Sequence, residues 1–304
     1  MRKICKKILS IIMIVATLLS ISIPTLAAEV NLDNYDKHPN FEQLKDAYIE
    51  YSIQAKEMEK FVTLPLEYFI LEYEENGIDN YLNSRILELK QNESIDEVHK
   101  QQAIIQSALE KEMQKEGMFD PQSVGGYWFY NCFEPIKPGN YTEYPELLGS
   151  SVISGDLVHD SNGSFGITGH SAIVMGHYYS NIFQEFYVRV CEAVSAGVCY
   201  GILSDDRVNN RATSVYRVNG GANSSKRIAA ANWVTSQIGK PWRVVDEYYK
   251  TANLTQGRPN WYCSLLFFAA YKAQGIELDD QAGTYAYFLM PQALINSLKT
   301  SKTF

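Results

Sequence analysis

The strongest constraint on the fold lies between Val152 and Val218. Short strand patterns follow one another there without the strand–helix–strand alternation that a parallel sheet needs. Val152–Val158 is a short candidate, Ser171–Met175 a stronger one, and Phe186–Ala193, Gly197–Leu203 and Ser214–Val218 complete the set. Two helices come later. One runs from about Ser224 to Gln237 and is closed by Gly239 and Pro241; the other starts at the Tyr262-Cys263 step and runs to Gly275. This order predicts an α+β domain on an antiparallel sheet, spanning residues 123–304.

The chain before it has a different texture. Phe41, Leu44, Tyr48, Tyr51, Ala55, Met58 and Val62 recur at helical spacing. Pro65 opens a second predicted helix that Gly77 would close, and Ile78, Tyr81, Leu82, Ile86 and Leu89 form a third stripe. Ser94-Ile-Asp-Glu97 is a capping box for a fourth helix ending at Gly117. Residues 28–122 are therefore expected to be a helical N-terminal region. Its reading as packing helices competes with one as a targeting or lid module, and nothing in the sequence chooses between them.

Residues 1–27 are expected to be a secretory signal peptide. Arg2, Lys3, Lys6 and Lys7 precede an apolar run from Ile8 to about Ile23, and Thr25-Leu-Ala27 supplies small residues at a cleavage site. Cleavage would remove four basic and no acidic residues, taking the formal net charge from −8 to −12. An anionic, exported protein with no stable membrane insertion after cleavage is the result. Such a balance argues against nucleic acid as a partner, because phosphate contacts need a basic surface. With 46% hydrophobic residues the chain is no disordered tail.

Four cysteines follow the leader: Cys132, Cys191, Cys199 and Cys263. An even number in an exported chain permits disulfides, but a chain this long does not need them as a framework. Cys191 and Cys199 flank a turn containing Gly197, and their pairing is left open. There is no Cys-x-x-Cys and no His-Glu-x-x-His, so neither a metal site nor a cofactor is expected.

Three residues carry chemistry. Cys263 stands where a Gly/Pro/Asn loop (Gly257, Pro259, Asn260) meets an apolar helix. A helix N-terminus favours thiolate and offers N–H groups to an oxyanion, although a buried structural thiol is the commoner role. His170 opens a strand behind Gly169 and would share a face with Ala172, Val174 and Gly176; alone, it reads equally as a backbone-bonded His at a sheet edge. Glu192 ends the apolar stripe Phe186, Val188, Val190, where a carboxylate is costly without a partner. An imidazole would satisfy it and be oriented by it, as would an ordinary ion pair.

Gly155-Asp-Leu-Val158, Gly169-His-Ser-Ala-Ile-Val174, Val190-Cys-Glu-Ala193 and Trp261-Tyr-Cys-Ser-Leu-Leu266 occur in that order. The set resembles the circularly permuted papain-like amidases and peptidases of the YiiX/YaeF type, relatives of the NlpC cell-wall peptidase group and of lecithin retinol acyltransferase. The resemblance covers about Val152 to Leu298 and leaves out the helical first half. It implies a permuted papain-like domain, a small antiparallel sheet packed on the Cys-bearing helix, with the His strand before the Cys helix. It also implies Cys263 as nucleophile, His170 as general base and Glu192 as the residue orienting it. Relatives often carry a second His at the position of Glu192, and a Tyr in a Gly-x-Pro-Tyr setting where this chain has Gly239-Lys-Pro-Trp242, without a phenolic O–H. Tyr262 has no assigned role.

A serine-hydrolase elbow is rejected: Gly169-His-Ser171-Ala-Ile173 lacks the final Gly and precedes a strand, not a helix. Asp160-Ser-Asn-Gly-Ser164 lacks the Gly and Glu of a calcium loop and reads as a hairpin turn. The resulting expectation is a secreted or cell-wall-associated cysteine hydrolase that cleaves an amide bond in a peptide or acyl-amide substrate, with peptidoglycan fragments the natural candidates by analogy. The competing readings are a lipid-directed acyl hydrolase or acyltransferase, and a non-catalytic binding module on the same scaffold.

Overall fold

The computed structural model describes residues 31–60, 62–91, 147, 149–162, 169–181, 184–194, 197–243, 254, 257–279 and 289–304. The signal-peptide expectation, the fourth helix at Ser94–Gly117, Cys132 and the boundary at 122/123 lie outside these residues.

Among the described residues, six strands form one antiparallel sheet: β1 (Leu157–Asp160), β2 (His170–Ser180), β3 (Glu185–Val194), β4 (Gly197–Leu203), β5 (Thr213–Val218) and β6 (Thr300–Lys302), in the order β4-β3-β2-β1-β5-β6. The mixed helix and antiparallel-sheet architecture agrees with an α+β class.

The first strand is shorter than its pattern. Residues 152–156 form a turn instead: Asp156 N–H donates to Ile153 O and Ile153 N–H to Asp156 Oδ2. Gly155 adopts φ +90°, and a Cβ there would meet the backbone of Arg227 at 2.7 Å, so the turn requires glycine.

The long β2–β3 pair carries a bulge between Val174 and Gly176. Before it, Val174 faces Val190; after it, Gly176 faces Arg189 and His177 faces Val188. The extra residue reverses the alternation. Gly176 therefore leaves the face of His170, Ala172 and Val174 on which simple alternation put it, and His177 takes its place.

Each face of the sheet has its own core. On one, Leu157, Ile173, Met175, Tyr187, Cys191 and Ala193 pack against Ser224–Thr235 (α5) and Cys263–Lys272 (α6). Every residue of α6 from Ser264 to Tyr271 is buried, as its continuous apolar sequence demands. On the other face, Val158, Ala172, Val174, Val188, Val190 and Val215 meet Leu147, Val152 and Leu203.

Among the described residues, the helical segment comprises α1 (Phe41–Glu57), α2 (Leu66–Leu71) and α3 (Ile78–Leu89), preceded by a 3-10 turn at Leu32–Lys37. α1 ends before Met58 and Val62, which its stripe had included: Glu59 turns left-handed (φ 54°) and Lys60 N–H closes onto Ala55 O. Gly77 does not close α2, which stops at Leu71; with φ 95° it starts α3. A buried contact ties this segment to the sheet. Glu67 of α2 accepts His177 N–H at 3.0 Å and faces His177 Nδ1 at 3.1 Å, and His177 Nε2 donates to Leu147 O at 2.7 Å. Both side chains are fully buried.

Candidate active site

β2, β3 and α6 converge at one end of the sheet, and there the structure brings Cys263, His170 and Glu192 together. Gly169 makes the approach. Its φ of +71° turns the chain into β2, and a Cβ there would lie 3.0 Å from His159 Nε2 and 3.1 Å from Asp160 O. His170 then pairs with Asp160 across β1.

The imidazole is buried and held on one nitrogen by Glu192, with His170 Nε2 2.6 Å from Glu192 Oε2. The ring is also paired with Cys263 through charge and a hydrogen bond. Burial by itself would lower the His170 pKa. The charge of the Cys263 sulfur and its hydrogen bond, followed by Glu192, overcome this and push the ring up to about 10.

Cys263 is half-buried at the first position of α6. Tyr262 before it is extended and makes no side-chain cap, so the sulfur stands at the N-terminus of the helix. Burial raises the thiol, but the His170 charge and hydrogen bond, with the Ser171 N–H, bring its pKa below the ordinary value. The arrangement favours a thiolate–imidazolium pair at a helix N-terminus.

Glu192 is anchored from behind by a residue that sequence reasoning missed. Arg207 donates Nη1 to Glu192 Oε1 and Nη2 to Glu192 Oε2, each at 3.0 Å. It also holds Asp160 through Nε and through Nη2 at 2.9 Å. Thr213 Oγ1 donates to Asp160 Oδ1 at 2.6 Å. Burial would raise Glu192, yet Arg207 first and His170 second hold it down at about 2. The two carboxylates keep Arg207 protonated against its own burial. From Cys263 back to Asp160, each charged group therefore meets one of opposite sign.

Arg207 sits in a short helix, α4 (Asp205–Arg211), whose sequence Asp-Asp-Arg-Val-Asn-Asn-Arg looks solvent-facing, yet Arg207 is 1% exposed. The available signal was Ser204, which caps this helix by accepting Arg207 N–H at 3.2 Å. Asp160 had been read only as the start of a turn.

Trp242 lies beside the loop that leads into Cys263: Trp261 N–H donates to Pro241 O and Arg243 N–H to Trp261 O, both at 3.0 Å. Tyr262, previously without a role, accepts Leu289 N–H on its hydroxyl at 3.2 Å. Cys191 and Cys263 are free thiols, and no disulfide joins Cys191 to Cys199. Their cross-strand partners explain why: Cys191 faces Tyr200 and Cys199 faces Glu192, so they sit on opposite faces of the sheet. Among the described residues, no group of three or more His, Cys, Asp or Glu is placed to hold a metal ion, and no helix is long and apolar enough to cross a membrane.

No protein-family model matches the chain, and no curated protein matches it. Among solved structures, one chain that matches is the metalloprotein yiiX from Escherichia coli O157:H7. It is 18% identical, with 50% of this chain and 96% of that chain covered, at a TM-score of 0.34. A likeness at that score carries no argument here, and the word metalloprotein belongs to that protein.

Proposed function

We propose that this protein is a cysteine hydrolase that cleaves an amide bond through a thioacyl-enzyme. The observation that carries this reading is the placement of Cys263 at the N-terminus of α6, paired with an imidazole whose Nε2 is fixed by Glu192. A nucleophile, a base and an orienting group in that order are what acyl transfer through sulfur needs.

In this mechanism the Cys263 thiolate attacks the carbonyl carbon, and the carbonyl electron pair moves to oxygen. The free N–H groups at the start of α6 face that developing charge. When the tetrahedral centre collapses, the carbon–nitrogen bond breaks. The amine takes the proton of the His170 imidazolium, leaving a thioester on Cys263. His170, now neutral, removes a proton from water, which attacks the thioester. Collapse returns the sulfur as thiolate and His170 as imidazolium, and releases the acid. Glu192 keeps the ring in place throughout. Arg207 keeps Glu192 anionic.

The substrate we assign is a peptide or acyl amide, with cell-wall peptides in first place, and the setting is outside the cell. Both rest on the leader-like residues 1–27 and on the family resemblance of the motifs, not on the site's geometry. The test is covalent labelling of the full chain with an electrophilic acyl probe, read by peptide mass, followed by turnover of peptidoglycan fragments against acyl amides and esters. An adduct on Cys263, lost in His170→Ala, supports the reading. No adduct on Cys263 with any amide or ester probe leaves a binding module. An acyl chain trapped from lipid, with no turnover of peptides, moves the substrate to lipids.

A further inference from the structure

Two rows of side chains lie next to each other on the sheet face that meets α6. In the first, Tyr216, Leu157 and Ile173 stand in register across β5, β1 and β2 and pack in the apolar core. The next row along the same face is Ser214, His159 and Ser171, in register across the same strands. The direction of α6 decides what this polar row meets. Tyr271, near the end of the helix, donates its hydroxyl to Gly155 O at 2.6 Å. The helix from Tyr271 back to Cys263, and the chain from Gly155 on to His159, each span roughly 12–13 Å. The start of α6, with its sulfur, therefore stands at the level of the polar row.

His159 is the member of that row the fold does not explain. It is 5% exposed, as buried as His170 at 6%. Its Nε2 comes so near Gly169, the residue before His170, that a Cβ there would lie 3.0 Å away. The ring stands edge-on to Tyr216, and among the described residues neither of its nitrogens takes a hydrogen bond. A buried imidazole without hydrogen bonds is costly, and an apolar side chain would suit the sheet better. Burial holds its pKa below the ordinary value, so the ring is neutral at pH 7.

We propose that His159 is a substrate-contact residue that hydrogen-bonds the backbone of a peptide substrate beyond the bond that is cleaved. This names the substrate class of the Cys263 site and rests on the reading of that site as a cysteine hydrolase. The chemistry of the ring picks the partner. A neutral imidazole carries one N–H donor and one nitrogen acceptor, and a peptide backbone offers the complement of both. An ester or an acyl chain offers no donor and leaves a nitrogen of the buried ring unpaired. His159 thus selects a peptide over a lipid ester.

The experiment compares a stem peptide of peptidoglycan with p-nitrophenyl acetate, an ester without an amide, on the full chain, with the adduct on Cys263 read by peptide mass. His159→Phe keeps a ring against Tyr216 but has no polar atom, His159→Ala is a second removal, and His159→Gln restores a donor and an acceptor. Thermal midpoints check that each variant folds. We expect the ratio of kcat/KM for the peptide to that for the ester to fall about three- to tenfold in His159→Phe and His159→Ala, carried by KM, the size of one neutral hydrogen bond. In His159→Gln the ratio should stay within about twofold of the native one. A native ratio in both removals, or an equal fall in His159→Gln, overturns the contact. An acetyl adduct on native Cys263 without turnover of the stem peptide overturns the peptide assignment and leaves the nucleophile standing. No adduct on native Cys263 overturns both.

Discussion

Arg207 grips Glu192 with both terminal nitrogens, Nη1 on Oε1 and Nη2 on Oε2, each at 3.0 Å. The second of those oxygens is the one that holds His170 at 2.6 Å. The orienting carboxylate is thus not free to follow the ring. It is fixed by a guanidinium that is itself fixed by Asp160, so the imidazole inherits its position from three buried charges rather than one.

That grip decides what Glu192→Gln should do. An amide offers one oxygen where the site needs two, and its NH2 would face either Arg207 donors or the His170 ring. Turnover should fall by on the order of 10²-fold or more, from loss of the anion behind the imidazolium. Stability should fall as well, by about 1–3 kcal/mol, because Arg207 loses an acceptor. Turnover per folded molecule and the thermal midpoint, measured together, check this. Native turnover with a lowered midpoint would remove Glu192 from the chemistry.

Arg207→Met should be the more severe change. It leaves Asp160 and Glu192 buried without their shared cation, at a cost of about 3–5 kcal/mol. The Glu192 carboxyl should then titrate at a higher pH than in the native protein, so that its protonation joins that of the Cys263 thiolate in the acid limb of the activity profile. Denaturant unfolding and the pH profile of kcat/KM read the two effects separately. A profile unchanged in shape would mean that Arg207 stabilises the fold without tuning Glu192.

The native protein should show a bell-shaped kcat/KM. The acid limb reports protonation of the Cys263 thiolate, whose pKa lies below its ordinary value, and the basic limb reports loss of the His170 proton near 10. Stability follows the same groups. His170 is raised above its unfolded value of about 6.5, so its contribution is complete below that pH and is lost as pH rises through about 10. Glu192 is depressed, so its contribution is present above its unfolded value of about 4.3 and is lost as pH falls toward about 2. Thermal midpoints from pH 2 to 11 should therefore decline at both ends, and Cys263→Ala should flatten the alkaline decline, since the sulfur is the largest influence raising His170.

Glu67→Ala should separate the helical segment from the sheet energetically. It leaves buried His177 without its carboxylate, for a loss of about 3–5 kcal/mol. The double replacement Glu67→Met with His177→Phe should cost less than the sum of the single changes, which a double-mutant cycle measures. Additive losses would show that the two residues do not support each other across α2 and β2.

A close approach makes the last prediction. Gly201 on β4 lies under Glu192, and a Cβ there would collide with Glu192 Oε1. Gly201→Ala should displace the carboxylate and lower turnover while leaving alkylation of Cys263 measurable. Native turnover in Gly201→Ala would show that the site tolerates a shifted Glu192.

What could be read from residue order alone follows from local rules. Alternation marked β2 to β5, helical spacing marked α1 and α3, and the step from a Gly/Pro/Asn loop into an apolar run marked Cys263 as the start of α6. Cys263, His170 and Glu192 were named because each stands at the end of such an element, where a polar group is out of place. Alternation could not reveal the bulge at Gly176, because one inserted residue reverses every later side chain without altering composition; so it put Gly176, not His177, on the His170 face. Nor could local pattern find Arg207. A helix rich in Asp, Asn and Arg reads as solvated, and only the sheet that carries Asp160 and Glu192 to either side of it turns that arginine inward. Burial of paired charges depends on partners 15 and 47 residues away in sequence, and that distance is closed by the tertiary fold alone.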